Sequence, residues 1–168
     1  MSALKRSVLA VALLSALAVP VLGQSPVNLK LATQAPVNSA WHKALLDMGA
    51  DWTAKTSGRV KLTVYAGGTQ GDELSTIRMM RPGVDQLQAN LLMVTGLGQI
   101  DSAFDVFGMP FFFQNDEEMT YVQQKLTPML EQRLDAKGFK LLGWGSAGWV
   151  QLFSKKPLNS LDDVKQAK

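Results

Sequence analysis

Residues 28–93 decide the fold: NLKLATQAPVNSAWHKALLDMGADWTAKTSGRVKLTVYAGGTQGDELSTIRMMRPGVDQLQANLLM. In 28–35 and 59–66 apolar residues alternate with polar ones, which is the period of a strand with one buried face. Between these runs the period becomes that of a helix, which Ser39 can cap and Gly58 can end in the left-handed conformation. The apolar face of this helix consists of Trp41, Leu45, Met48 and Trp52.

A second helix and a third extended run complete the pattern. Asp72 is a good helix cap, and a Pro-Gly pair at 82–83 ends the helix. One face of this helix consists of Leu74 and Ile77, with either Met80 or Arg81 in its last turn. Another extended run covers 86–93. Strands that alternate with amphipathic helices predict an α/β lobe with a mostly parallel sheet and right-handed crossovers.

The next segment predicts a long amphipathic helix capped by Asp116 and ended by Gly138. Pro128 lies inside it, so we expect a kink or two helices, the second capped by Thr127. Its apolar face consists of Met119, Val122, Leu126, Leu130 and Leu134.

Beyond this helix, 139–144 and 149–154 predict strands, and Ser160 starts a last helix. That helix continues to Lys168 without a stop signal, and we expect the chain to be truncated there.

The amino terminus has the pattern of a signal peptide. Lys5 and Arg6 precede an apolar run at 8–19, which is shorter than the roughly 20 residues of a spanning helix and is followed by Pro20. We expect cleavage near Gly23 and release into the periplasm; the alternative is an uncleaved membrane anchor.

Composition excludes several classes of function. The formal net charge of +3 includes two basic residues of this leader, so the remainder is nearly neutral and nucleic acid is not an expected partner. The chain has no cysteine, so we expect no disulfide partners and no lipid-anchored amino terminus. Its single histidine excludes a histidine cluster for metal, and we expect no metal, cofactor or catalytic residue.

Ligands of open parallel sheets bind beyond the carboxyl ends of the strands, so the loops at 34–42, 67–72 and 93–96 should converge. Helix amino termini after the first two loops would suit an anionic group. The alternatives to ligand contact are core packing for Trp41, a solvated or capping role for His42, and turn or cap roles for Gln70 and Asp72. The candidate ligand-binding residues are Gln34, Asn38, His42, Gly68, Gln70, Asp72, Thr95 and Trp149.

The stretch GWGSAG at 143–148 fits the G-x-G-x-x-G spacing of dinucleotide-binding loops, but the motif needs a helix after it, and a strand is expected there. We therefore interpret its glycines as places where the backbone approaches a neighbouring strand or a ligand.

The order and spacing of several short motifs carry a resemblance. The mature chain resembles the amino-terminal half of the extracytoplasmic solute receptors of TRAP transporters, the DctP type. The motifs are LKLAT at 29–33, WHKAL at 41–45, GDE at 71–73 with MR at 80–81, MPFFF at 109–113 with DEE at 116–118, residues 138–148, and FSKKP at 153–157 with DDVK at 162–165.

The resemblance implies a type II periplasmic-binding-protein-like fold, with a first lobe at 24–147, a crossover strand and second-lobe start at 148–168, and most of the second lobe missing. It implies a receptor, not an enzyme, that captures a small organic acid for TRAP transporter membrane subunits. Arginines that clamp the ligand carboxylate in such receptors are not matched, because Val150 takes one position and the other lies beyond Lys168. An exported hydrolase and a non-binding truncated lobe are the alternatives.

Overall fold

The computed structural model describes residues 25–149 and 153–166, so the predicted signal peptide lies outside the described residues. Its amino-terminal part is the predicted β-α-β-α-β unit, which forms a parallel sheet in the order β2-β1-β3. The elements are β1 (Val27–Thr33), α1 (Ala40–Lys55), β2 (Val60–Tyr65), α2 (Glu73–Met80) and β3 (Ala89–Leu91). The prediction of an α/β fold with a parallel sheet is confirmed.

The third strand is shorter than the extended run predicted at 86–93. The backbone N–H groups of Gln86 and Leu87 donate to the carbonyl of Met79, at 3.0 and 3.2 Å, instead of joining a ladder. Because these bonds tie the chain to the end of α2, β3 pairs with β1 only from Leu31↔Ala89 to Thr33↔Leu91.

Four further elements follow: α3 (Val94–Ile100), a 3-10 helix (Ser102–Gly108), α4 (Asp116–Asp135) and α5 (Leu161–Gln166). The residues predicted as a loop at 93–96 are therefore the cap and first turn of α3.

Helix α4 differs from its prediction at two points. Its cap is Asn115, whose Oδ1 accepts the N–H of Glu118 at 2.8 Å, and Asp116 is the first helical residue. Pro128 does not divide the helix, so the two-helix alternative is wrong. Thr127 does not cap a second helix, because its hydroxyl donates to the Gln123 carbonyl at 2.7 Å.

Gly138 follows α4 with φ +80, as predicted, but the strand predicted at 139–144 is wrong. That segment has no ladder partner among the described residues. The side chain of Trp144 instead packs against the buried cluster that includes Phe104 and Phe107. Of the strand predicted at 149–154, residues 150–152 lie outside the described part, and the others are not in a strand.

Two groups of buried side chains hold the described elements together. In the first group, Leu31 and Ala32 of β1 are buried, as are Leu45 of α1 and Ile77 of α2. The second group joins the 3-10 helix to α4, and Trp144 lies against it, with ring centroids 5.9 and 5.5 Å from those of Phe104 and Phe107. Its buried members are Phe104, Phe107, Phe113, Leu130 and Leu134.

Asp101, at the end of α3, is a buried carboxylate that ties α3 to α4. Arg133 approaches its Oδ1 at 2.8 Å and Lys137 approaches its Oδ2 at 2.9 Å. The hydrogen bonds from Lys137 and Arg133, and a third from the N–H of Ala103, hold the pKa of Asp101 well below its usual range. Among the described residues, no helix combines the length and apolar character needed to cross a membrane.

Candidate ligand-binding site

The segments that follow the three strands meet at one rim of the sheet. They surround a hollow of about 560 Å³ whose lining combines carboxylates, amides and a hydroxyl with a few apolar groups. Three of the predicted residues, Gln34, Asp72 and Thr95, therefore lie around one space. The lining residues are Gln34, Asp72, Glu73, Leu74, Met93, Thr95, Gly96 and Gln99.

Gln34 links the first strand end to the second. Its Nε2 donates to the carbonyl of Gly71 at 2.8 Å, so its amide is held across the turn at 67–71. Gly68 adopts φ +70, and a Cβ there would lie 2.6 Å from the Oε1 of Gln34. Glycine suits this position, because a side chain here would strain the backbone and displace the Gln34 amide.

Asp72 is the cap of α2, so its carboxylate lies at the amino terminus of that helix. Its Oδ1 accepts the N–H of Ser75 at 2.8 Å, which confirms the predicted cap. The hydrogen bond from the Ser75 side chain, followed by that from its backbone, lowers the pKa of Asp72. The amino terminus of α2, expected to suit an anion, thus already holds an ionised carboxylate of the chain.

Glu73 is a charged lining residue that was not among the predicted ligand contacts. Its Oε1 accepts the N–H of Met93 at 2.6 Å, and a Cβ on Gly96 would lie 2.5 Å from its Oε2. The carboxylate therefore lies against the start of α3, and a glycine at position 96 leaves the space for it. Sequence reasoning missed this contact because 20 residues separate the two partners.

Asn38 and His42 form a local unit at the start of α1 and do not line the hollow. Asn38 has φ +66, and its N–H donates to Nδ1 of His42 at 3.0 Å. The N–H of His42 in turn donates to Ser39, the cap of α1, at 3.2 Å. These bonds match the capping alternative for His42.

Gln70 and Trp149 also lie outside the lining of the hollow. Gln70 belongs to the turn before α2. The indole N–H of Trp149 donates to Asp116 at 2.7 Å, which places this side chain at the amino terminus of α4.

Of the glycines at 143–148, only Gly145 makes a close approach, and its partner is a tryptophan ring instead of the predicted strand or ligand. A Cβ on Gly145 would overlap the six-membered ring of Trp41, which is half-buried on the core face of α1. No helix follows Gly148 in residues 149 and 153–159, the described part of the next segment. The rejection of a dinucleotide-binding loop therefore agrees with the structure.

A hollow with polar and apolar lining at the carboxyl ends of parallel strands is the place where open α/β sheets bind small molecules. Residues 31–168 match the family described as bacterial extracellular solute-binding protein, family 7, the DctP family. The chain belongs to this family, and the resemblance inferred from its motifs is confirmed. The family consists of solute-binding receptors, so the prediction that the chain is not an enzyme is confirmed as well.

Solved structures share the fold at low sequence identity. A TRAP periplasmic solute-binding protein from Pseudomonas putida F1, with bound D-glucuronate, is similar at 24% identity and TM-score 0.70, over 82% of this chain and 45% of that one. Another from Haemophilus influenzae, with bound L-gulonate, is similar at 23% identity and TM-score 0.69, over 81% and 44%. A solute-binding protein from a Sulfitobacter species is 24% identical over 113 residues, 66% of this chain and 34% of the relative. The chain thus spans less than half the length of these relatives.

Proposed function

We propose that this chain supplies one ligand-contacting lobe of a periplasmic receptor for a small organic acid. The observation that carries the proposal is the hollow at the strand ends, where Gln34, Asp72 and Thr95 lie around one space. Ligand pockets combine apolar walls with a few polar groups that fix orientation, and Leu74 and Met93 supply apolar surface here.

Relatives with bound sugar acids support the ligand class. The Pseudomonas and Haemophilus proteins hold D-glucuronate and L-gulonate, which carry several hydroxyl groups and one carboxylate. Hydroxyl groups both donate and accept hydrogen bonds, so they are suited to the amides, carboxylates and hydroxyl of this hollow. We propose Gln34, Asp72 and Thr95 as its contacts. Gly68 lies beside Gln34 but outside the lining, and we keep it with Asn38, His42, Gln70 and Trp149 as proposed contacts elsewhere on the receptor.

The proposal includes a cellular role. Family membership supports delivery of the captured acid to TRAP transporter membrane subunits, after export of the chain and cleavage near Gly23. Amino-terminal sequencing of the periplasmic product tests the export step: a start near Gln24 is expected, and an intact Met1 species in the membrane fraction would contradict it.

Amide chemical shifts of the labelled chain test the ligand class. Titration with D-glucuronate should move the backbone resonances of Gly71, Thr95 and Gly96, and Thr95→Val should weaken the response because it removes a hydroxyl from the lining. Thr120→Val, an exposed substitution on α4, is the matched control and should respond as the parent does. Shifts confined to another surface, such as the hollow between Arg81, Lys137 and Phe139, would reject the proposed site.

A further inference from the structure

A second hollow lies at the other end of helices α2 and α3. Both helices begin at the hollow at the strand ends, whose lining includes Glu73 and Gly96. Their carboxyl ends meet a separate space of about 480 Å³, which is lined by Arg81, the residue after α2, and by Ile100, the last residue of α3. The eight residues of α2 place about 12 Å of helix between the two spaces, and no residue lines both.

The lining of this second space, called the basic hollow below, combines two cations with apolar surface. Arg81 and Lys137 supply the cations, and the other lining residues are Pro82, Ile100 and Phe139. No aspartate or glutamate is present among these lining residues. A volume of this size, with apolar walls and a few polar groups, is typical of sites for small molecules.

The guanidinium of Arg81 has all of its hydrogen-bonding capacity to spare within the described part of the chain. Its side chain forms no ion pair and no hydrogen bond with a described residue, whereas the side chains of Arg59 and Arg133 do. A guanidinium presents five N–H donors in a planar fork that matches the two oxygens of a carboxylate. Arg81 can therefore hold an anion without giving up an internal contact.

The charged groups behind the lining leave a positive balance. Asp101 is shared by Arg133 and Lys137, so two cations already face one carboxylate. With Arg81 the count is three cations against one carboxylate, a surplus of two positive charges. Lys137 also donates from Nζ to the carbonyl of Ile100 at 2.6 Å, which fixes its ammonium group at the end of α3.

Helix ends oppose an anion here, but more weakly than the cations attract one. The carboxyl ends of α2, α3 and α4 lie near the basic hollow, and the partial negative charge of a helix end disfavours anions. That effect is limited to the last turn and is screened by solvent, and at α3 the ammonium of Lys137 already offsets it. A bidentate, charge-assisted hydrogen bond from Arg81 acts at contact and is the stronger interaction.

Gly138 shows that the basic hollow is built by the backbone as well as by side chains. It has φ +80, and a Cβ there would lie 2.7 Å from Cγ of Pro82. The segment after α4 therefore lies directly against the segment after α2, which brings Phe139 and Pro82 to one space. The apolar walls are held in place before any ligand arrives.

We propose that the basic hollow binds a small organic anion with an apolar body, such as an aromatic carboxylate. Arg81 holds the carboxylate, and the side chains of Pro82, Ile100 and Phe139 cover the apolar part. A sugar acid is a poorer fit, because its hydroxyl groups would lose hydrogen bonds to water against these walls. The inference is independent of the proposed function, because it uses none of the residues at the strand ends.

Amide chemical shifts of the labelled chain test this site with benzoate as the probe. Benzoate should shift the amides of Gly138 and Phe139 and leave those of Gly71 and Gly96, beside the other hollow, unchanged. Benzyl alcohol has the ring without the charge, and inorganic phosphate has the charge without the ring. Each should bind at least about tenfold more weakly than benzoate, since each lacks one of the two interactions.

Arg81→Gln should weaken benzoate about tenfold to a hundredfold, because a charge-assisted hydrogen bond is lost. Arg81→Lys keeps the charge without the fork, so its affinity should fall between that of Arg81→Gln and that of wild type. Arg78→Gln is the matched control: it removes the same charge from the exposed last turn of α2, outside the lining, and should leave the affinity for benzoate unchanged.

Four results would overturn the inference. Benzoate shifts that spare Gly138 and Phe139 would reject the site. Benzyl alcohol binding as tightly as benzoate would reject the role of Arg81, and phosphate binding as tightly would reject an organic acid as the ligand. Equal weakening by Arg78→Gln and Arg81→Gln would show that only the overall charge of this surface attracts the anion.

Discussion

Gly145 and Asp101 show how single residues fix the arrangement of whole segments in this chain. At Gly145 the missing side chain lets the backbone lie against the ring of Trp41, and at Asp101 one buried carboxylate joins two helices. The first contact is steric and the second electrostatic, so they respond to different perturbations.

Gly145→Ala should destabilise the chain by about 1–3 kcal/mol, because the added methyl group must displace a stiff indole ring. Urea unfolding followed by tryptophan fluorescence measures the loss. Gly143→Ala is the matched control, since nothing lies within 4 Å of a Cβ built there, and it should stay within about 0.5 kcal/mol of wild type. Equal losses for both variants would mean that flexibility of the segment, and not the Trp41 contact, explains the glycine.

Asp101→Asn should lower the urea midpoint of unfolding at neutral pH. This difference from wild type should disappear in acid. The folded-state pKa of Asp101 lies below its unfolded value, so its stabilisation is present above about pH 4 and falls as the pH decreases further. The difference in midpoint between variant and wild type should therefore shrink from pH 5 toward pH 3.

Asp51→Asn is the control for this profile. It removes an exposed partner of Lys55, at 2.6 Å, and exposed pairs contribute little to stability. A pH profile for Asp101→Asn no steeper than that of the control would show that the buried carboxylate contributes no more than an exposed one.

At the scale of elements, the starts of α1 and α2 were predictable, whereas helix α3 and the short strands were not. The caps at Ser39 and Asp72 act within three residues, so local sequence contains the information. Strands need a partner that is distant in sequence: the run at 86–93 is reduced to three residues, and 139–144 finds no ladder among the described residues. Alternation alone therefore overstated the number of strands.

The same limit applies to the candidate site. Parallel topology correctly brought Gln34, Asp72 and Thr95 to one rim, because crossovers place strand ends together. It could not identify Glu73, whose role depends on where Met93 lies in space. Asn38 and His42 lie on the loop, as predicted. The hydrogen bond between them stabilises the start of α1, and neither side chain lines the hollow.

Helix α4 depends on one apolar face, and Leu130 is its most deeply buried residue at 0% exposure. Leu130→Ala should cost about 2–5 kcal/mol, because it leaves a cavity between α4 and the ring cluster. Met129→Ala, at a neighbouring position with 40% exposure, should cost less than about 1 kcal/mol. Chemical denaturation of both variants checks the contrast, and similar losses would mean that α4 does not pack through this face.

At the scale of the whole molecule, large apolar side chains remain at the surface outside the helices and strands. Phe111, Leu142 and Phe153 are 96%, 81% and 91% exposed. Phe111 also has φ +59, a left-handed conformation that is uncommon for an aromatic residue. Apolar side chains scattered singly at a surface are common, so these three residues do not by themselves define a binding patch.

The described hollow faces solvent on one side, and this predicts the affinity of the chain. The matched relatives are more than twice as long as the aligned part, and the family resemblance implies two lobes that close around the ligand. In the described lobe alone, a hydroxy acid would keep part of its surface in water, and no lysine or arginine among the described lining residues could pair with its carboxylate. Removing one partner of a desolvated, hydrogen-bonded charge pair costs on the order of 2 to 5 kcal/mol. The chain should therefore bind D-glucuronate about 30-fold to several thousand-fold more weakly than the Pseudomonas relative does under the same conditions.

Calorimetry of the relative and amide-shift titration of this chain supply the two dissociation constants. Constants within threefold of each other would show that the hollow at the strand ends provides nearly all of the binding free energy.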